Sequence, residues 1–326
     1  MSGKQDRGSR ASGRASQATR GAPRTPRPLF DSGALEGFAL ATLMRLFGVL
    51  KAETASNLAG RLARMIGPFL PVSRTAYGNL TVAMPELDRQ AQRRIVHGMW
   101  ESLGRTAGEF PHLRHLQRDT ASGPGWELQG EEILRALAAS GGPILFFSGH
   151  IGNWEILPRA AALYGLPCAN FYRAASTPQV DALIRRMRED NVGVATGYFP
   201  KGSKGARAAL RHLGQGGNLA MLVDQKMNDG IEARFFGLPA MTASAAASLA
   251  LHFRCPIVPA LAQRIGPARL RVIIEPPLLL PDTGNRASDV QSLTQAANDV
   301  LERWIRASPE SWLWLHRRFP KASAPR

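Results

Sequence analysis

Cysteine is scarce: Cys168 and Cys255 are the only two in 326 residues, far apart and outside any C-x-x-C. They support neither a disulfide framework nor a thiolate zinc site, and they fit a reducing compartment. Both read as core residues, because free cysteine behaves as a small hydrophobe. Acidic residues are also few, 25 Asp and Glu against 41 Lys and Arg, for a formal net charge of +16. Such an excess implies an acidic partner: nucleic acid, anionic lipid or an acidic protein. The most apolar early stretch, Ala34 to Leu50, contains Glu36 and Arg45. It falls short of the roughly 20 apolar residues that a membrane span requires.

Several reactive signatures are missing. No G-x-S-x-G, H-E-x-x-H or G-x-G-x-x-G occurs, which removes the hydrolase elbow, the zincin helix and the dinucleotide loop. Gly197 to Lys204 (GYFPKGSK) imitates a phosphate loop, but its lysine is misplaced and Pro200 removes an N–H from the cradle. Aromatic residues make up 7% and sit in apolar runs or the closing segment. A nucleic-acid module would interleave them with basic residues on one surface, so no nucleic-acid partner is expected.

What is present falls into three parts. Residues 1–30 form a tail of Gly, Ser, Ala, Arg, Pro and Thr that cannot build a core, and we expect it to be disordered. Its first 28 residues hold Lys4 and six arginines against Asp6, so +16 less +6 leaves +10 for the rest. Residues 31–118 read as helical and membrane-associating. Ala34–Leu50 suits a short anchor or a helix lying in the interface, and Leu58, Leu62, Met65, Ile66 and Phe69 recur at helical spacing. A further helix is predicted over 88–110. From 119 to 326 short apolar runs alternate with helical segments. Strands are predicted at 144–147, 167–172, 219–223, 257–262 and 270–275, with helices at 151–163, 180–188, 205–213, 243–253 and 289–307. This alternation predicts an α/β fold with a central sheet covered by helices, packed with 31–118 as one unit.

One constellation carries chemistry. His150 follows the buried run Ile144–Phe147 directly and precedes Gly152, Asn153 and Glu155. Reactive groups of α/β sheets collect at the carboxyl ends of strands. A neutral imidazole is a suitable base for a hydroxyl near pH 7. A carboxylate on its far ring nitrogen would fix the tautomer, and Glu155 is the candidate if His150 lies in the strand–helix turn and Glu155 in the first turn of the helix. Backbone N–H groups at the start of the next helix are candidates for an oxyanion.

Phe146-Phe-Ser-Gly-His-Ile-Gly-Asn-Trp-Glu155 resembles the first motif, H-x4-D/E, of the bacterial lipid A secondary acyltransferases, within the wider glycerolipid acyltransferase group. Phe171-Tyr-Arg173 is similar to the second motif, and Leu222-Val-Asp-Gln225 with Phe235-Phe-Gly237 to the third. Pro256-Ile-Val-Pro259 and Pro309 to Phe319 resemble the fourth motif and the closing block, while Arg74, Asn79-Leu80 and Glu109 also fit. The resemblance implies transfer of an acyl chain from acyl carrier protein to a hydroxyl of a phosphorylated glycolipid. It places the reaction at the cytoplasmic face of the inner membrane and implies no metal or dissociable cofactor. It assigns His150 and Glu155 to catalysis and Arg173 to an acceptor phosphate. Asp224 would order Arg173 or a neighbouring base, with Gly152 and Asn153 on the substrate side. Phe235, Phe236 and Gly237 would line an acyl groove, and Arg317 would touch phosphate or membrane. Two alternatives stay open: an acyltransferase using acyl-CoA or another lipid acceptor, and a non-catalytic basic binding protein.

Overall fold

The computed structural model describes residues 32–320, apart from residues 173, 174, 176 and 201. The expected disordered tail therefore lies outside the described residues, as does Arg173. Four helices come first: α1 (Ser32–Val49), α2 (Ala52–Ile66), α3 (Ser73–Ala83) and α4 (Arg89–Glu109). Next are β1 (Gly125–Gln129), α5 (Glu131–Ser140), β2 (Leu145–Ser148), α6 (Leu157–Ala162) and β3 (Cys168–Tyr172). Then follow α7 (Pro178–Val192), β4 (Tyr198–Pro200), α8 (Ser203–Gly214), β5 (Asn218–Leu222), β6 (Lys226–Phe235) and β7 (Leu238–Thr242). The order closes with α9 (Ala245–Phe253), β8 (Ile257–Gly266), β9 (Arg269–Ile274) and α10 (Arg286–Ala307).

Seven strands form one mixed sheet in the order β1-β9-β8-β2-β5-β3-β4, antiparallel only between β8 and β9. β2 sits at its centre and is buried along its whole length, hence its continuous apolar sequence Leu-Phe-Phe. The fold class matches the expectation of an α/β sheet with helices. β6 and β7 form a separate antiparallel hairpin, which the sequence pattern does not predict.

The first helices invert the usual amphipathic arrangement. α2 buries Ala55, Ser56, Ala59 and Gly60, while Leu58, Leu62, Met65 and Ile66, with Phe69 beyond its end, are 42–83% exposed. The small face lets α2 press against α4. A Cβ on Gly108 of α4 would stand 2.4 Å from the Ala55 carbonyl oxygen, closer than any side chain tolerates. Among the described residues no helix is long and apolar enough to cross a membrane.

Candidate active site

Sheet register brings the site together. β2 and β5 are parallel neighbours with Ser148 opposite Leu222, so two residues beyond each pair lie His150 and Asp224. Residues 74 apart in sequence thereby meet at the carboxyl end of the sheet, where parallel topology gathers reactive groups. His150 Nδ1 lies 2.8 Å from Asp224 Oδ1, and the His150 backbone N–H donates to Asp224 Oδ2 at 2.9 Å. Trp312 Nε1 donates to the same Oδ2 at 2.8 Å. Burial alone would push the Asp224 carboxyl up. The His150 ring beside it, together with these N–H donors, overcomes that and holds it well below the ordinary carboxylate range. Asp224 is thus an acceptor only, and His150 must carry a proton on Nδ1, which leaves Nε2 as the ring nitrogen available to accept one.

This corrects the expected partner of His150. Glu155 does not take the far ring nitrogen. Gly152 adopts φ +60°, and the chain enters a 3-10 turn over Trp154–Ile156 rather than a helix from Ile151. Glu155 therefore faces Arg188 of α7, which donates to it at 2.8 and 2.5 Å. Glu155 also accepts from Trp154 Nε1 at 3.1 Å, and the Trp154 ring stands edge-on to His150 with centroids 5.1 Å apart. Its link to the imidazole runs through an aromatic ring.

The loop that presents His150 is held from both sides. The backbone N–H of Gly152 donates to Ser311, and that of Leu313 donates to the His150 carbonyl. A Cβ at Gly152 would meet the Ala262 carbonyl at 1.9 Å, so only glycine fits that left-handed position. The N–H groups of His150, Ile151 and Gly152 are all bonded within the protein, so none of these three is available to an oxyanion. Asn153 is fully buried and donates to Glu109. Gly152 and Asn153 shape the loop instead of facing outward.

Glu109 is the hub of that scaffold. Fully buried, it receives Arg264 at 2.8 Å, Ser56 at 2.7 Å, Asn153 at 2.7 Å and the Ala268 N–H at 3.1 Å. Burial opposes its charge, but Arg264 and these donors keep the carboxyl below its usual value. Removing it strands a buried guanidinium, so Glu109→Ala should cost about 3–5 kcal/mol of unfolding free energy, measured by denaturant titration. A carboxyl with a depressed folded value stabilises above its unfolded value and loses that contribution as pH falls through the folded one. The wild-type advantage over Glu109→Ala should accordingly shrink in acid.

Other predicted residues take different places. Phe235 and Phe236 are buried in an aromatic cluster with Trp312, Trp314 and Phe319, so they pack a core rather than line a groove. Gly237 makes the β6–β7 turn at φ +73°. Arg317 is exposed, while Arg318 is buried over Phe235 and bonded to Met241 and Thr242. Burial lowers Arg318 to about 10. Sequence reasoning missed Trp312 as a partner of Asp224; its only signal was membership of the closing block. Among the described residues no group of three or more His, Cys, Asp or Glu is placed to hold a metal. A cavity of about 600 Å³ bounded by Arg118, Trp126 and Tyr164 shares no residue with this site.

Residues 32–321 match the bacterial lipid A biosynthesis acyltransferase family. The chain belongs to that family. Family membership makes it an acyltransferase with an acyl donor and a lipid acceptor. No curated protein matches the chain. The family match begins at the first residue of α1 and runs past Pro320, so it includes both the strand-end loops and the closing segment that clamps them.

Proposed function

We propose that this acyltransferase performs a late, secondary acylation of lipid A, moving an acyl chain from acyl carrier protein to a hydroxyl of a phosphorylated precursor. The observation that carries this reading is the Asp224–His150 pair at the carboxyl end of the sheet, in a chain of the lipid A family. His150 Nε2 takes the proton from the acceptor hydroxyl as its oxygen attacks the thioester carbonyl carbon. The tetrahedral intermediate collapses with cleavage of the C–S bond, and the departing thiolate recovers the proton from Nε2. Asp224 stabilises the imidazolium formed between the two steps. Arg173, which the resemblance assigns to an acceptor phosphate, would supply a planar fork for it.

The cytoplasmic face of the inner membrane is where such a donor and acceptor meet. The outward apolar face of α2, continued by Phe69, supports surface association there, and the +16 net charge suits anionic lipid and an acidic carrier protein alike. Carrier docking should then be mainly electrostatic. The test is kcat/KM for matched acyl–carrier-protein and acyl-CoA donors across ionic strength, with detergent and acceptor fixed. A carrier advantage of about tenfold should shrink as salt shortens the Debye length from about 30 Å at 0.01 M to about 8 Å at 0.15 M. Equal performance of CoA at every salt would assign the donor to acyl-CoA instead. Mass spectrometry of lipid A from a strain lacking the protein identifies the product.

A further inference from the structure

The reactive nitrogen of His150 already has an occupant. The Gln225 amide nitrogen lies 3.3 Å from His150 Nε2 and 3.0 Å from His316 Nε2. The two rings are 5.6 Å apart between centroids. A primary amide has two N–H bonds, one for each ring, and both bonds require an unprotonated Nε2. For His150 that agrees with the proton that Asp224 demands on Nδ1. The amide is closer to His316, and a 3.3 Å contact is long for an N–H donor, so the bond to His150 is the weaker of the two. His316 is itself fixed, since Asn79 of α3 donates to the carbonyls of Trp314 and His316 at 2.7 and 2.6 Å.

We propose that Gln225, anchored by His316, is a positioning residue that keeps His150 Nε2 unprotonated in the resting enzyme and yields it to the acceptor hydroxyl. The inference rests on the reading of His150 as the base. Displacing the weak bond costs little, because His316 retains the amide while the hydroxyl takes its place. In the opposite protonation state the amide would have to turn its oxygen toward Nε2–H. Among the described residues, the charged or titratable groups facing His150 are Asp224 after β5 and His316 from the closing segment, with the Glu155–Arg188 pair behind Trp154. α4 presents only Met99, Ser102 and Leu103 to the small pocket beside the ring.

An N–H donated to Nε2 favours the neutral ring, so losing it favours the protonated, inactive ring. The acid limb of kcat/KM, which reports the free enzyme, should therefore move to higher pH. Gln225→Met keeps the length and removes the donor, and His316→Phe removes the anchor. Each is measured as purified full-length enzyme with lauroyl–acyl carrier protein and a phosphorylated glycolipid precursor. A net hydrogen bond of ordinary strength predicts an upward shift of about half to one pH unit for Gln225→Met. His316→Phe should give a smaller shift in the same direction. Acid limbs that coincide with wild type in both variants, while His150→Ala is inactive, would overturn the role of Gln225 and leave the base assignment standing. An active His150→Ala would instead overturn the base. If Gln225→Met does not fold, His316→Phe decides alone.

Discussion

His150→Ala should abolish measurable acyl transfer while the protein stays folded. The side chain lies at the mouth of its loop, 17% exposed, and the bonds that shape the loop are made by backbone groups of His150 and Gly152 with Leu313 and Ser311. These survive truncation. Loss of a general base alone costs about 10²–10⁴ in rate, and here truncation also leaves the Asp224 carboxylate without its ring partner. The loss should therefore fall at the upper end of that range and appear in kcat rather than in KM for either substrate. The unfolding transition of the purified variant should fall modestly rather than collapse, because Asp224 loses its ring partner but keeps the N–H bonds from the His150 backbone and Trp312. A variant retaining more than about a tenth of wild-type turnover would exclude His150 as the base, since that is less than 1.4 kcal/mol of barrier.

Much of this site is legible in the sequence, for reasons that residues make plain. β2 is central and buried on both faces, so its apolar run announces a strand and His150 falls at its end. The long α10 and the strands β3, β5, β8 and β9 carry equally clear patterns. The elements that escape are short or half-solvated: β1 reads Gly-Trp-Glu-Leu-Gln, and β4 has three residues. β6 carries Lys226, Asn228, Asp229 and Glu232 along a largely exposed hairpin, where alternation has nothing to report. In the site itself, H-x4-E suggests a local pair because only four residues separate its members. The real partner, Asp224, comes from a neighbouring strand whose register no spacing encodes. Trp312 is more remote still, reaching Asp224 from 88 residues away. The helical spacing of Leu58 to Ile66 is likewise read correctly as a helix, although the α-helix stops before Phe69, which lies in a 3-10 turn; periodicity does not say which face is buried. Only the close approach of α2 to α4 through Ala55 and Gly108 turns the apolar side outward.

Asp224→Asn should lower turnover by about 10⁴, and the geometry gives a reason beyond loss of charge. Oδ2 receives two N–H groups, from the His150 backbone and Trp312, whereas Oδ1 faces the ring nitrogen alone. An asparagine amide has one oxygen, and two donors hold it at the Oδ2 position. Its NH₂ must then face Nδ1, which is forced to accept. The ring's proton moves to Nε2, and the base is lost while the fold is kept. Trp312→Phe combined with Asp224→Asn removes one of the donors that fix the amide, so the double variant should recover part of the activity lost by the single one. Glu155→Gln is the informative contrast. Its carboxylate is bound to Arg188 and reaches His150 through Trp154, so it should cost at least about tenfold less than Asp224→Asn. Glu155→Asp, which retains the charge, should cost less again. Steady-state kinetics on the three single variants and the double variant, each checked for folding, tests this ordering. Glu155→Gln as damaging as Asp224→Asn would mean that the Glu155 carboxylate meets the reacting atoms directly and that its pairing with Arg188 opens during turnover.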